Sequence, residues 1–223
     1  MPRIHFQQQL AELKDKLLAM AALSQQAVES SVDCYVQRDE KLCEYVRDNE
    51  RAINSAERDL DEMAYKLLAK EQPMAIDLRF ILAVIKINGD LERIGDQSMS
   101  IAIRSSSLTE VDFIDLPVDI PGMADFAAVM IRTAIQALLN GDAQVADSVI
   151  AMDDEIDRMN RVAHLELTRV IEQHPEHTVQ ALNAILISRA LERIADHATN
   201  IATDVIFWVR GADVRHQLSL AVD

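Results

Sequence analysis

At 223 residues the chain is long enough for one large domain or two small ones. Apolar residues make up 49% of it, aromatics only 4%, and Gly and Pro five residues each, a composition that suits long packed helices and argues against sheets. A net charge of −15, uninterrupted by any Lys/Arg cluster, repels phosphate backbones and excludes nucleic acid as a partner, while it favours cations and basic protein surfaces.

The start, from Met1 to Leu10, lacks the apolar stretch of a signal peptide. No apolar run approaches the ~20 residues of a bilayer span, so a cytoplasmic protein with no direct membrane insertion is expected. Ile4, Leu10, Leu13, Leu17, Met20 and Leu23 recur at helical spacing and predict a long amphipathic helix to about residue 37. Asp39 is the candidate N-cap of a second helix, whose buried stripe is Leu42, Val46, Ile53, Leu60, Ala64 and Leu67 and which Pro73 ends. Cys34 and Cys43 flank this junction and, in a reducing compartment, are expected as two free thiols. A third helix is predicted from Met74 to about Ser105, ~50 Å long at ~1.5 Å per residue.

Residues 105–121, with their hydroxyls and two prolines, break the pattern and read as a linker. The pattern then restarts with a helix over about 122–140, a break at Gly141-Asp142, a helix to about His174, and a last helix to Val209. Asp142 aligns with Asp39 and Pro175 with Pro73, so the chain is a tandem repeat. The expected fold is all-α, two antiparallel three-helix bundles spanning residues 1–108 and 109–223.

The third helix of each repeat carries the same short stretch. Leu91-Glu-Arg-Ile-Gly-Asp96 in the first becomes Leu191-Glu-Arg-Ile-Ala-Asp196 in the second. Four-residue spacing sets Glu92 and Asp96, and likewise Glu192 and Asp196, one turn apart on one helix face, which makes half of a cation site. A small residue precedes the Asp in both, and this predicts close approach of a ligand or a neighbouring helix there. The middle helices supply the other half. Glu50, Asn54, Glu57 and Asp61 line one face of the second helix, and Asp153, Asp157, Asn160 and His164 repeat those spacings 103 residues later. Carboxylate and amide oxygens suit Mg, Ca or Mn, whereas added imidazole, from His164 or His197, moves the preference toward Fe, Mn or Zn. His197 lies about 100° of helix rotation from Asp196, so it binds from the flank or steers an outer contact.

These residues resemble the PhoU family of phosphate-transport accessory and regulatory proteins. Leu91–Asp96 and Leu191–Asp196 look like its two E/D-x-x-x-D signatures. Gln72-Pro73 followed by Asp77-Leu78-Arg79 is similar to its entry to the third helix, and the segment from Val209 to His216 to its closing stretch. The resemblance implies two three-helix bundles whose acid pairs hold metal clusters on the surface; by the donor set, the expected ion is a transition metal (Fe, Zn or Mn) or Mg. It also implies a non-enzymatic cytoplasmic regulator, in the form of a homodimer, that binds the ATPase of the phosphate ABC transporter and a phosphate-sensing histidine kinase and restrains the phosphate-starvation response. Carried over by position, the expected ligands are Glu57, Asp61, Glu92 and Asp96 in the first repeat and Asp153, Asp157, Glu192, Asp196 and His197 in the second. Gln97 and Ser100 depart from the Asp-His-x-x-Asn run that Asp196, His197 and Asn200 preserve.

Two other classes compete. A ferritin-like di-metal enzyme needs Glu-x-x-His pairs, and no histidine here has a Glu three residues before it. No Ser/His/Asp or Cys/His set or phosphate-binding glycine loop is present either. A metal-free helical adaptor would keep the apolar stripes but has no need for acids matched between helices.

Overall fold

The computed structural model describes residues 2–211. Three long helices form the first repeat: α1 (Pro2–Gln37), α2 (Glu40–Glu71) and α3 (Ile76–Ser106). The second comprises α4 (Ile120–Asn140), α5 (Ala143–Ile150), α6 (Asp153–Gln173), a 3-10 turn at Pro175–His177, and α7 (Thr178–Arg210). No strand occurs among the described residues. The two Asp caps fall at the starts of equivalent helices. Asp39 accepts a hydrogen bond from Lys41 N at 2.9 Å, and Asp142 accepts from Gln144 N at 2.8 Å and Val145 N at 3.2 Å, which satisfies amides that a helix start otherwise leaves without partners.

In the first repeat the helices pack antiparallel on Leu13, Leu17, Met20, Ile53, Leu60, Ile87 and Ile94, all buried, and in the second on Met130, Leu138, Ile156, Leu167, Leu191 and Ile194. The repeats meet along α3 and α7, with α1 against α4, and a single apolar cluster runs through both halves. Gly95 lies where α3 meets α2. A Cβ there would stand 3.0 Å from Ile53 Cδ1, so the small residue beside Asp96 serves helix packing.

Four sequence expectations change. Cys34 and Cys43 form a disulfide, because the two-residue turn between α1 and α2 sets the last turn of one helix beside the first turn of the next, with the Cα atoms 5.4 Å apart. The predicted fifth helix is two, α5 and α6, broken at Ala151-Met152. The break gives Asp153, Asp154 and Glu155 a helix N-terminus of their own, where negative charge is favoured. The third change concerns α4, which at 21 residues and a mean hydropathy of 1.3 is long and apolar enough to cross a membrane. Its apolar residues supply core instead: Met123, Ala127, Met130, Ile131, Ala134 and Leu138 are buried against α7 and α1. Lastly, α7 runs one residue past Val209, to Arg210, and the end of the family-like closing segment, from Ala212 to His216, lies outside the described residues.

Candidate metal centre

The second repeat draws its acids together. Glu192 and Asp196 stand one turn apart on α7, Asp157 reaches them from α6, and one carboxylate oxygen of each lies within 4.8 Å of the other two. Opposed ligands on one divalent ion are ~4–5 Å apart, so small side-chain shifts would let the three share a cation. Asp153, one turn before Asp157, accepts a hydrogen bond from Thr199 Oγ1 at 3.2 Å. Burial raises the Asp153 carboxyl although that hydrogen bond opposes it. Burial, then the charge of Asp157, raises Glu192, with Arg189 and Arg193 opposing. The largest effect falls on Asp196, pushed up to about 6 by burial and then by Glu192, Asp153 and Asp157, against a small opposing contribution from His197. Partly buried carboxylates crowded in this way lack positive charge, and the donors are those that hard divalent cations take.

In the first repeat the same positions close less completely. Burial, then Asp96 and Glu57, raises the Glu92 carboxyl, with Arg93 opposing and Glu50 adding to the rise. Asp61 is engaged elsewhere: it accepts from Asn88 Nδ2 at 3.1 Å and from the Tyr65 hydroxyl at 3.2 Å, while Asn88 Nδ2 also reaches the Glu57 carbonyl at 2.9 Å. Among the described residues no trio like that of the second repeat forms, because Asn54 stands at the place of Asp157. The Asn54 amide donates to Glu50 Oε1, and its Oδ1 is buried with no hydrogen-bond partner. An orphaned carbonyl oxygen among Glu50, Glu57 and Glu92 is a donor that a cation would satisfy. In the second repeat the equivalents of Glu57 and Asp61 do not join the trio. Asn160 Oδ1 accepts from Ser188 Oγ at 3.0 Å, and His164 is exposed.

His197 also stands outside that trio. Its Nδ1 lies 2.8 Å from Asp90 Oδ1 on α3, and Asn200 Nδ2 donates to the same oxygen at 3.2 Å. Asp90 was not among the residues expected to matter, nor were Lys86 and Asp204, which form a 2.9 Å ion pair across the same seam. The Lys86 ammonium also lies 5.2 Å from the Phe207 ring centre. Lys86, Asp90, His197, Asn200 and Asp204, together with Glu92 and Arg93, line a cleft of about 510 Å³ along the α3–α7 seam. A signal for them existed in the sequence. At a shift of one hundred residues, Lys86, Asp90, His197 and Asp204 correspond to Leu186, Ala190, Gln97 and Arg104, so these four meet across the seam at positions where the two repeats differ.

Comparison with known proteins bears on both halves. The family model for the PhoU domain matches residues 17–104 and again residues 120–205, spans that contain the acid pairs of both repeats. The chain belongs to the PhoU family. A PhoU homolog from Pseudomonas putida, named a phosphate-specific transport system accessory protein, is 39% identical over 95% of this chain and 83% of its own. One from Methanothermobacter thermautotrophicus is 32% identical over 93% of this chain and 95% of its own. The crystal structure of PhoU from Pseudomonas aeruginosa superposes with a TM-score of 0.89 and 36% identity, covering 93% of this chain and all of that one. PhoU from Streptococcus pneumoniae, at 24% identity and a TM-score of 0.87, shares the fold.

Proposed function

We propose that this PhoU-family chain is a cytoplasmic, non-enzymatic accessory protein of phosphate transport. In this reading it binds the ATPase of a phosphate ABC transporter and a phosphate-sensing histidine kinase, works as a homodimer, and holds down the phosphate-starvation response. The observation that carries the reading is the convergence of Asp157, Glu192 and Asp196 in a chain whose two repeats both match the PhoU domain. The relatives' name as accessory proteins of the phosphate-specific transport system supports the pathway.

In the second repeat Asp157, Glu192 and Asp196 would hold the metal, with Asp153 beside them. In the first, Glu92 and Asp96 would do so with Glu57 and Glu50, and Asn54 Oδ1 would supply a neutral oxygen. The expected ion is Mg, Mn, Fe or Zn, and when bound it supplies the positive charge that these carboxylates lack. The protein's part is to hold two acids of one helix at fixed spacing against the acids of the next.

Deleting the chain and following a phosphate-responsive promoter in high phosphate tests the pathway, with derepression expected. A promoter that stays fully repressed overturns the reading. Complementation with Glu192→Gln/Asp196→Asn, alongside metal content by plasma mass spectrometry, tests the site. The double variant is expected to retain less metal and to restore repression only in part, whereas an unchanged metal-to-protein ratio counts against the ligand assignment.

A further inference from the structure

The turn between α6 and α7 carries a different donor set. The sequence there is His174-Pro175-Glu176-His177, and the 3-10 turn at Pro175–His177 brings one ligand atom each from His174, Glu176 and His177 within 4.8 Å of the other two. His174 Nδ1 lies 3.3 Å from Glu176 Oε1, and the two imidazoles stack with their centres 5.5 Å apart and their planes 25° from parallel.

Backbone geometry fixes the arrangement. His177 N donates to the His174 carbonyl at 2.9 Å, and the Thr178 hydroxyl donates to the Pro175 carbonyl at 2.6 Å. Pro175 locks its own φ, so less backbone freedom remains for a ligand to remove. His174 and Glu176 are exposed and His177 is partly so, which leaves the group open to solutes.

We propose that His174, Glu176 and His177 form a further, independent metal site for a divalent first-row ion of the zinc type, with a water at the open fourth position. Two nitrogens and one carboxylate oxygen are the donors of a three-ligand zinc site, and imidazole favours Zn, Cu or Ni over the Mg and Ca that all-oxygen groups take. Repeat symmetry does not account for the cluster, because the equivalent turn of the first repeat is Gln72-Pro73-Met74-Ala75 and carries none of these ligands. The site is also chemically distinct from the Asp157/Glu192/Asp196 trio, which offers oxygen alone.

The test is a calorimetric titration of the full chain with Zn²⁺, after chelation and with Mg²⁺ in excess to occupy oxygen-only sites. Wild type and Glu192→Gln/Asp196→Asn are expected to share one zinc site. In His174→Gln and His177→Gln that site is expected to weaken at least about tenfold, the lower limit for losing even an outer partner of a metal ligand. Zinc binding unchanged in both histidine variants overturns the proposal, as does its disappearance from the acidic variant. A second readout needs no variant: X-ray absorption on wild type loaded with one equivalent of zinc should show two imidazole shells, and an all-oxygen shell overturns the assignment. Because the experiment reads zinc at the turn and not phosphate signalling, its failure leaves the proposed function standing, and the converse holds.

Discussion

Replacing Asp196 by Asn removes the most perturbed charge of the second repeat while keeping its shape. In the metal-free fold the Asp196 carboxyl is pushed up to about 6 from an ordinary 3.8, mainly by burial and then by Glu192, Asp153 and Asp157. A folded-state value above the unfolded one means that the ionised form is disfavoured by folding. The wild type is therefore penalised at pH values above about 6, and the penalty disappears as the pH falls toward 3.8. At about 1.4 kcal/mol per pH unit the ceiling is about 3 kcal/mol, and since the group is partly solvated, screening brings this to about 1.5 kcal/mol. For a chain of this size Asp196→Asn should raise the melting temperature by roughly 3–6 °C in chelator at pH 7.5. The gain should shrink through pH 6 and vanish near pH 4. In saturating metal the order reverses, because the wild type gains ligand-linked stability, about 2.7 kcal/mol at a hundredfold excess over Kd, part of which the variant forfeits. Differential scanning calorimetry at three pH values, with chelator and with Mn²⁺, reads all of this. A chelated variant that melts below wild type at pH 7.5, or a difference that does not change with pH, would refute the electrostatic account of the cluster.

Other perturbations test the frame that holds the acids. Lys86→Met removes the ammonium that pairs with Asp204 at 2.9 Å; because Lys86 is more than a third exposed, the cost is expected at about 1 kcal/mol, and Lys86→Met/Asp204→Asn should recover part of it in urea melts. A double variant no more stable than Lys86→Met would show that the pair is not what holds this stretch of the α3–α7 seam. The Cys34–Cys43 disulfide closes a short loop, with a sequence separation of 9, so its reduction should cost about 2–3 kcal/mol and lower the melting temperature by roughly 5–10 °C. Alkylation of the unfolded, unreduced protein should find no thiol, and two labelled cysteines would contradict the pairing. Gly95→Ala should lie within about 1 kcal/mol of wild type, since better helix propensity offsets a 3.0 Å contact with the flexible end of Ile53. Gly95→Val should cost more than about 1 kcal/mol by overpacking, and chemical denaturation with no difference between the two would remove Ile53 as the reason for a small residue.

Helix positions were legible because each apolar stripe has one period and each cap one chemistry: Asp39 and Asp142 fall where the side chain meets the second amide beyond it. The acids of α3 and α7 were legible too, since spacing within one helix needs no tertiary information. What the spacing could not give was the choice of partner across helices. His197 and Asp196 are neighbours in sequence, yet one turns to Asp90 on another repeat while the other joins Asp157. Asp61 satisfies the rule for a ligand but is drawn to Asn88 and Tyr65, whose positions depend on how α2 and α3 rotate against each other. The cysteine pair was misread for a related reason. Compartment chemistry suggested free thiols, whereas a two-residue turn between antiparallel helices decides their proximity.

The continuity of the apolar cluster through both repeats has a thermodynamic consequence. Because α3 and α7 bury each other, neither half can open without exposing the face on which the other is built, and the chain should unfold in one cooperative transition. Amide hydrogens at the centres of α3 and α7 should then exchange only through global unfolding, with equal free energies of opening. A cation held by the second repeat would slow exchange in the first as well, as far as the centre of α3, although no ligand atom of that site lies there.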